Sequence, residues 1–588
     1  MTSGSGDSAR NLERAVARHV FAAFKDYNRS FREITRRAER HFLARDWATS
    51  RSDAVQRIEL YNLSVLAARD EVLALLGDEG RDRRRWAGAK LHYARLITQC
   101  ADSEFYKTFF SSITRRVFDT RGVDADVEVL AEDVTPGNPR PLATRIYRNR
   151  GSLYLLFDEI LGDLPFARRF AAVETSLQFI AAEIGAYRSE CGIAEYPREI
   201  EIIPPLFYRG RQAYLVARIG GAGWDLPLVL PFAHRTEGVT CESVILAEAE
   251  VSMLFGFTRS YFHVDLETVG SAVRFLKELL PEKPVEEIYT VLGRAKQGKT
   301  ERYRALMRHM ASSSDRFVPA AGAAGMVMSV FTLPSFNVVF KVIRDRFDYP
   351  KTIRRSEVRE KYELVFKHDR AGRLVDAQEF RRLSFDAGRF DPKLKEELLA
   401  SCSRNCSVRE GRLVIEHLYI ERRLVPLNLY LRDATAAEAE RAVIDYGQAL
   451  RDLASSNIFA GDLLVKNFGV SRHGRVIFYD YDEVVFVTEC NFRPLPESRR
   501  PEEEMAAEPW YFVAQNDVFP EEFIRFFGFS EPLRKAFLTY HGELLSHVWW
   551  SRLKQRLARG EAIEVLPYAI RNRTTPLAGA GTRISRRT

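Results

Sequence analysis

Two carboxylates and an amide at fixed intervals are the first sign of chemistry in the chain. FAGDLLVKNFGV carries Asp462 and Asn467 five residues apart, and Asp480 follows Asn467 by thirteen, at the end of the strand-like VIFYD. D-x-x-x-x-N is the spacing of a phosphoryl-transfer loop in which the Asp orients the acceptor hydroxyl and the Asn, with a later Asp, holds divalent metal. A strand between the two groups would bring Asn467 and Asp480 to one pocket. Upstream, Lys341 ends the β-run SFNVVFK. Alternation places it opposite Val338 and Phe340, so it can face a cleft and meet phosphates. The small-residue run AAGAAGM, Ala320 to Met326, precedes it by about the length of a hairpin and would let backbone approach phosphates.

Each part alone is weak, because Gly-Ala runs are usually loops and a strand-end lysine is usually solvated. Their order carries the reading: small-residue loop, strand lysine, the strand-like VIEHLYIE, D-x-x-x-x-N, strand, Asp. There are departures too. The chain has no full G-x-G-x-x-G, H-R-D, D-F-G or A-P-E, and reads D-Y-D at 480–482. Glu357, Glu360 and Glu363 all compete for the helix glutamate that would pair with Lys341. Such losses fit a kinase for a small hydroxyl compound, a non-catalytic nucleotide-sensing module, or a divergent protein kinase.

A second phosphate motif competes. GRAKQGKT, Gly293 to Thr300, fits G-x-x-x-x-G-K-[ST] without mismatch. That loop needs a buried strand before it. Here Val285, Ile288, Tyr289 and Leu292 precede it at helical spacing, and Tyr303, Leu306, Met307 and Met310 follow at the same spacing. The segment therefore reads as the turn of a helical hairpin. Gly293 or Gly298 would end one helix and Thr300 would cap the next.

The elements that must position these groups change along the chain. Residues 11 to about 190 read as helices, with a mixed stretch near 120–160. Short β-branched runs split by Pro and Gly begin near 199, and helices return at about 268–310. After ASSSDR the order becomes strands, helix, strands, helix, short strands, helices. That pattern fits an α+β two-lobe domain better than a doubly wound parallel sheet.

Composition sets the outer limits. The chain has 588 residues, 46% hydrophobic and 29% charged, and its net charge of +8 comes from 88 basic and 80 acidic side chains that are largely interleaved. That length implies more than one domain, and the charge is not a nucleic-acid footprint. The six cysteines are scattered, which argues for a reducing compartment, and the lone C-x-x-x-C at Cys402 and Cys406 reads as ordinary thiols. The N-terminus has no apolar signal region, and no run is long enough to span a membrane, so a cytoplasmic protein with no membrane partner is expected.

MVMSVFTLPSFNVVFK, VIEHLYIERRLVPLNLYL, FAGDLLVKNFGVSRHGRVIFYDYDEV and EPWYFVAQNDVFPEEF together resemble bacterial isocitrate dehydrogenase kinase/phosphatases, and the resemblance runs over nearly the whole chain. It implies an α+β fold: a mainly helical regulatory domain with a small β-containing part over 1–310, a two-lobe protein-kinase-like domain over 311–572, and a basic tail, 573–588. It implies a bifunctional enzyme that phosphorylates a serine of isocitrate dehydrogenase with ATP, removes the phosphate in the same site with bound nucleotide (ATP or ADP) and Mg²⁺ or Mn²⁺, and responds to AMP as an allosteric effector. A homodimer is compatible with it.

Carried over residue by residue, the resemblance puts the nucleotide loop on Ala320, Ala321, Gly322, Ala323, Ala324, Gly325 and Met326. The phosphate-binding lysine falls on Lys341, the catalytic-loop aspartate on Asp462, and the metal ligands on Asn467 and Asp480. The active-site aspartate falls on Asp376 in GRLVDAQEF, where the residues alone suggest a polar loop position. Asp482 is a further carboxylate beside the metal. Asp480, Asp482 and Asp376 all remain open as the base in the phosphatase direction. The adenine edge is expected to meet the backbone of Glu416 to Leu418, and CNFRPLPESRRPEEEMAAEPWYFVAQNDVFPEEF stands where a substrate loop would.

Overall fold

In the computed structural model, residues 3–130, 133–134, 140–256, 261–322, 325–349, 351, 353–368, 371–496, 511–561 and 563–571 are described. Residues up to Arg308, joined by 567–571, form one compact unit, and those from His309 to Leu566 form a second. Among the described residues, no helix is long and apolar enough to cross a membrane.

The first unit starts with helices α1 (Ser3–Ala44), α2 (Trp47–Leu76), α3 (Arg83–Ile97) and α4 (Ser103–Val117). Their apolar stripes bury Phe24, Tyr27, Phe31, Tyr61 and Phe109 in one aromatic core. Asp46 caps α2 by accepting from the Thr49 amide at 3.1 Å. Strand β1 (Arg145–Arg148), α5 (Leu153–Gly162) and α6 (Val173–Glu190) follow. Then come β2 (Glu199–Ile202), β3 (Phe207–Arg209), β4 (Gln212–Gly221), β5 (Trp224–Arg235) and β6 (Gly238–Cys241), which form with β1 an antiparallel sheet ordered β1-β2-β4-β5-β6, with β3 on β4. Helices α7 (Glu248–Leu254), α8 (Val269–Leu279), α9 (Val285–Val291) and α10 (Ala295–Ser312) complete it. Tyr568 returns from the C-terminal end of the chain to donate to Glu242 Oε2 at 2.9 Å.

GRAKQGKT forms the α9–α10 turn and the first turns of α10. Gly293, at φ +82, ends α9. Gly298 and Thr300 both lie inside α10, so Thr300 does not cap it; its hydroxyl donates to Lys296 O at 3.0 Å. A Cβ at Gly298 would sit 2.2 Å from Thr290 Oγ1 and 2.5 Å from Glu286 O. This glycine thus lets two helices approach each other. The amide of Gly298 is spent on Arg294 O and cannot point at a phosphate.

In the second unit, β7 (Val318–Pro319), β8 (Met328–Leu333) and β9 (Phe336–Ile343) lead into α11 (Arg355–His368). Strand β10 (Gln378–Asp386), α12 (Pro392–Ser401), β11 (Cys406–Arg409) and β12 (Arg412–Arg422) follow. The sheet is ordered β10-β12-β9-β8-β7, with β11 on β12. Beyond it lie β13 (Val425–Pro426), α13 (Leu427–Asp433) and α14 (Ala436–Ser455), the last opened by a capping box between Thr435 and Glu438. The hairpin β15 (Phe468–Val470) and β16 (Val476–Phe478) pairs with β13, and β14 (Ile458–Phe459) pairs with β17 (Val485–Phe486). VIFYDYDEVVFV is thus two short strands, β16 and β17, with the D-Y-D turn between them. Helices Glu531–His541 and His547–Ala558 pack Phe537 and Trp550 into the core of this unit. The α+β character expected from the order of elements holds, with helices and antiparallel sheets in separate layers.

Candidate active site

The site gathers around one backbone position, Tyr479. The β15–β16 hairpin closes with the Tyr479 amide donating to Asn467 O at 3.1 Å, which puts Asn467 beside the residue that immediately precedes Asp480. From the other sheet, Lys341 Nζ donates to Tyr479 O at 2.7 Å. Lys341, Asn467 and Asp480, read from spacing alone, are therefore brought together. Two β-strands rather than one separate Asn467 from Asp480.

Lys341 is 5% exposed, so its ammonium needs partners. Besides Tyr479 O it has Glu421 Oε2 at 2.8 Å. The register explains this: Tyr419 lies across from Lys341 and Glu421 across from Val339. Glu421 is thus the diagonal neighbour of Lys341 on the same face. The helix glutamates are not its partners. Glu360 and Glu363 are exposed, and Glu357 pairs with Arg354. Helix α11 contributes Tyr362 instead, stacked on Tyr419 at 4.0 Å between ring centroids. Sequence reasoning missed Glu421. The available signal was a charge in step with His417 and Tyr419 on the strand RLVIEHLYIER.

Asp462 sits in a tight loop after β14. Its Oδ1 accepts from the Leu464 amide at 2.9 Å, and Asn467 Nδ2 donates to its carbonyl at 3.3 Å. Asp480 is half-buried beside the buried Asp482. Desolvation first, then the neighbouring Asp482 charge, raise its carboxyl well above the ordinary carboxylate range, against the pull of Lys341 and Lys351. Asp482 is held by Lys351 Nζ at 2.9 Å, and Glu483 contacts the same ammonium.

Asp376 also reaches this neighbourhood. Leu374 bridges Phe478 in parallel, the Val375 amide donates to Phe478 O at 3.2 Å, and Tyr481 Oη donates to Val375 O at 2.9 Å. Asp376 accepts from Gln378 Nε2 at 3.2 Å. No local pattern marks Asp376; a long-range parallel pairing puts it there.

The expected nucleotide loop lies between β7 and β8. The Ala320 amide donates to Val330 O, and Val330 is the β8 neighbour of Lys341. Gly322 has φ +116. A Cβ at Gly325 would lie 2.6 Å from Met328 O, so the close turn into β8 requires glycine. Arg344 Nε donates to Gly325 O at 3.0 Å and ties the loop to Glu397 and Ser401. Ala321 precedes Gly322 in this loop, and Met326 lies just before β8; Ala323 and Ala324 lie outside the described residues. So do residues 497–510 of the expected substrate loop and the basic tail from 573.

Glu416 and Leu418 fall in mid-strand rather than at a strand end. The Glu416 amide is used by Asn405 O, and Leu418 is fully buried against Phe380 in register. The connection out of this sheet comes later, at Arg422–Leu424, before β13. Cys402 and Cys406 are free and buried, and burial raises both thiols.

A divalent cation fits the donors present. Asp480 and Asn467 offer hard oxygens, and a second carboxylate, Asp482, adjoins them. Among the described residues, no cluster of three or more His, Cys, Asp or Glu side chains stands ready for a metal. A cation here would complete its shell with phosphate and water, the usual habit of Mg²⁺.

Comparisons with known proteins agree with this geometry. Residues 17–314 match the model of the isocitrate dehydrogenase kinase/phosphatase (AceK) regulatory domain, and residues 315–570 match that of the isocitrate dehydrogenase kinase/phosphatase (AceK) kinase domain. An isocitrate dehydrogenase kinase/phosphatase of Xanthomonas campestris pv. campestris (strain 8004) is 45% identical over 560 residues, covering 94% of this chain and 96% of that protein. One from Anaeromyxobacter sp. (strain Fw109-5) is 44% identical over 560 residues, covering 95% and 97%. With both halves matched and relatives about 45% identical over nearly their whole length, the chain belongs to the isocitrate dehydrogenase kinase/phosphatase family.

Proposed function

We propose that this chain transfers the γ-phosphoryl group of ATP to a serine of isocitrate dehydrogenase and also hydrolyses that phosphoserine, setting flux between the tricarboxylic acid cycle and the glyoxylate bypass. The observation that carries the reading is the convergence at Tyr479, where Lys341 bonds its carbonyl, Asn467 its amide, and Asp480 follows it.

In the kinase direction Lys341 and the backbone of 320–326 hold phosphate oxygens. Asp462 orients the serine hydroxyl and accepts its proton as the serine oxygen bonds the γ-phosphorus and the bond to the β–γ bridging oxygen breaks, releasing ADP. The connection at Arg422–Leu424 is the better candidate for the adenine edge, since Glu416 to Leu418 have their backbone engaged in the sheet. Asn467 and Asp480 would hold Mg²⁺ or Mn²⁺, which when bound offsets charge on the transferring group. In the phosphatase direction water replaces the serine, and Asp480, Asp482 or Asp376 takes its proton. AMP enters this reading as an effector at a separate site. The interleaved charge of the chain supports a folded protein as partner rather than nucleic acid.

The test uses purified isocitrate dehydrogenase with γ-labelled ATP. Label on a protein serine, later released by the same protein, supports the proposal. Label on a small hydroxyl compound, or no turnover at all, overturns it.

A further inference from the structure

We infer that Glu421 on β12, and not a glutamate of helix α11, is the positioning residue for Lys341. The consequence is that the lysine is set by one sheet, independently of where that helix lies. The inference rests on the reading of Lys341 as a phosphate-binding group.

In protein kinases the strand lysine pairs with a glutamate from the following helix, and swinging that helix makes or breaks the pair. Here the corresponding helix is α11, which leaves Glu360 and Glu363 exposed and Glu357 engaged with Arg354. Glu421, 1% exposed, reaches Lys341 Nζ at 2.8 Å from an adjacent strand of the same sheet. Strands β9 and β12 are hydrogen-bonded neighbours through Tyr419–Lys341 and Glu421–Val339. The bonded strands fix the backbone spacing of this diagonal pair, so the two side chains stay within reach of each other wherever α11 lies. Tyr479 O, at 2.7 Å, fixes the ammonium from the other side. Two acceptors at fixed positions leave the third N–H of Lys341 for a ligand. Helix α11 is held by apolar and aromatic contact: Val358, Tyr362 and Val365 are buried, and Tyr362 stacks on Tyr419. The helix therefore supports the sheet without supplying the charge.

The experiment measures binding of ATP and of adenosine by the full-length chain, with thermal unfolding alongside. Glu421→Gln keeps the side-chain volume and removes the charge. It should weaken ATP about tenfold while leaving adenosine binding within twofold, because a misplaced lysine is felt only by phosphates. The double variant Lys341→Met/Glu421→Gln should bind ATP no worse than Lys341→Met alone, since Glu421 acts through the lysine. Glu357→Gln, at a half-exposed position beside Arg354, and Glu360→Gln and Glu363→Gln, at exposed positions, should each leave ATP binding within twofold, with thermal unfolding checking that each variant folds. The inference falls if any helix variant weakens ATP as much as Lys341→Met does. It also falls if Glu421→Gln binds ATP normally, or if the double variant is additive. If Lys341→Met itself binds ATP like the unaltered chain, the nucleotide reading fails first, and the two failures are told apart.

Discussion

Leu374 and Phe478 form a parallel bridge, and two residues beyond each of them stand Asp376 and Asp480. The Phe478 amide donates to Arg373 O at 2.8 Å and the Val375 amide to Phe478 O at 3.2 Å, so the two segments advance in step toward one place. Asp480→Asn keeps the shape but removes the charge proposed to hold the metal, and is expected to cost about 10²–10³-fold in both activities. Asp376→Asn, without a metal-binding task in the kinase direction, is expected to leave ATP affinity within twofold while lowering phosphoserine hydrolysis by about 10²-fold, the usual range for a lost proton acceptor. Parallel kinase and phosphatase assays with an ATP-binding measurement check both. Full activity in Asp480→Asn would remove the metal assignment.

Lys299, in the formal match GRAKQGKT, lies inside α10 and not in a loop after a strand. Lys299→Ala should leave ATP binding unchanged within twofold, whereas Lys341→Met should weaken it at least about tenfold, the loss of one charged phosphate contact. Equilibrium binding of a fluorescent ATP analogue to both variants decides. Loss of binding in Lys299→Ala alone would restore the motif to a nucleotide role.

What could be read in the sequence follows from how local each signal is. The helical hairpin around Gly293 was legible because apolar spacing on both sides is a property of seven-residue windows. Asp462, Asn467 and Asp480 were legible because one short hairpin links them. Glu421 and the placement of Asp376 were not legible from the residues. Glu421 depends on the β9–β12 register, and Asp376 on a bridge spanning 104 positions. The strand run VIEHLYIE was seen, but where it leaves the sheet depends on its pairing with β9, which continues to Arg422. The adenine contact expected at Glu416 to Leu418 falls on backbone engaged in the sheet, and that is the reason for proposing Arg422–Leu424 in its place.

Arg373 holds this second unit together from inside. Its guanidinium is bidentate to Asp445 at 2.7 and 2.8 Å, and it also bonds Asp452 at 2.7 Å and Val476 O at 3.0 Å. Burial alone would raise the Asp445 carboxyl, but Arg373 outweighs it and holds the group below its ordinary value. Arg373→Met leaves the half-buried Asp445 and the buried Asp452 without their cation, at an expected cost of about 3–5 kcal/mol. Adding Asp445→Asn should recover part of that loss, because the pair is coupled. Urea unfolding midpoints measure both, and equal midpoints for Arg373→Met and the unaltered chain would refute the bracing role.

His541 supplies a pH test. Its Nε2–H donates to Ile444 O at 2.8 Å and its Nδ1 accepts from Arg451 Nε at 3.1 Å, which fixes the neutral ring. Burial first, and then the Arg451 charge, lower it to about 4. The unfolded chain takes up this proton near 6.5, so between about 4 and 6.5 the unfolded state binds more protons than the folded one. The contribution of His541 is therefore complete above about pH 6.5 and is lost progressively as pH falls through that window. Unfolding temperature should fall on acidification from pH 7 to pH 4.5, and His541→Gln, which cannot take up a proton, should show a shallower fall over the same range. An identical slope in the two proteins would place the acid sensitivity over this range in groups other than His541; Asp445, whose carboxyl is lowered below its ordinary value, would act only at still lower pH.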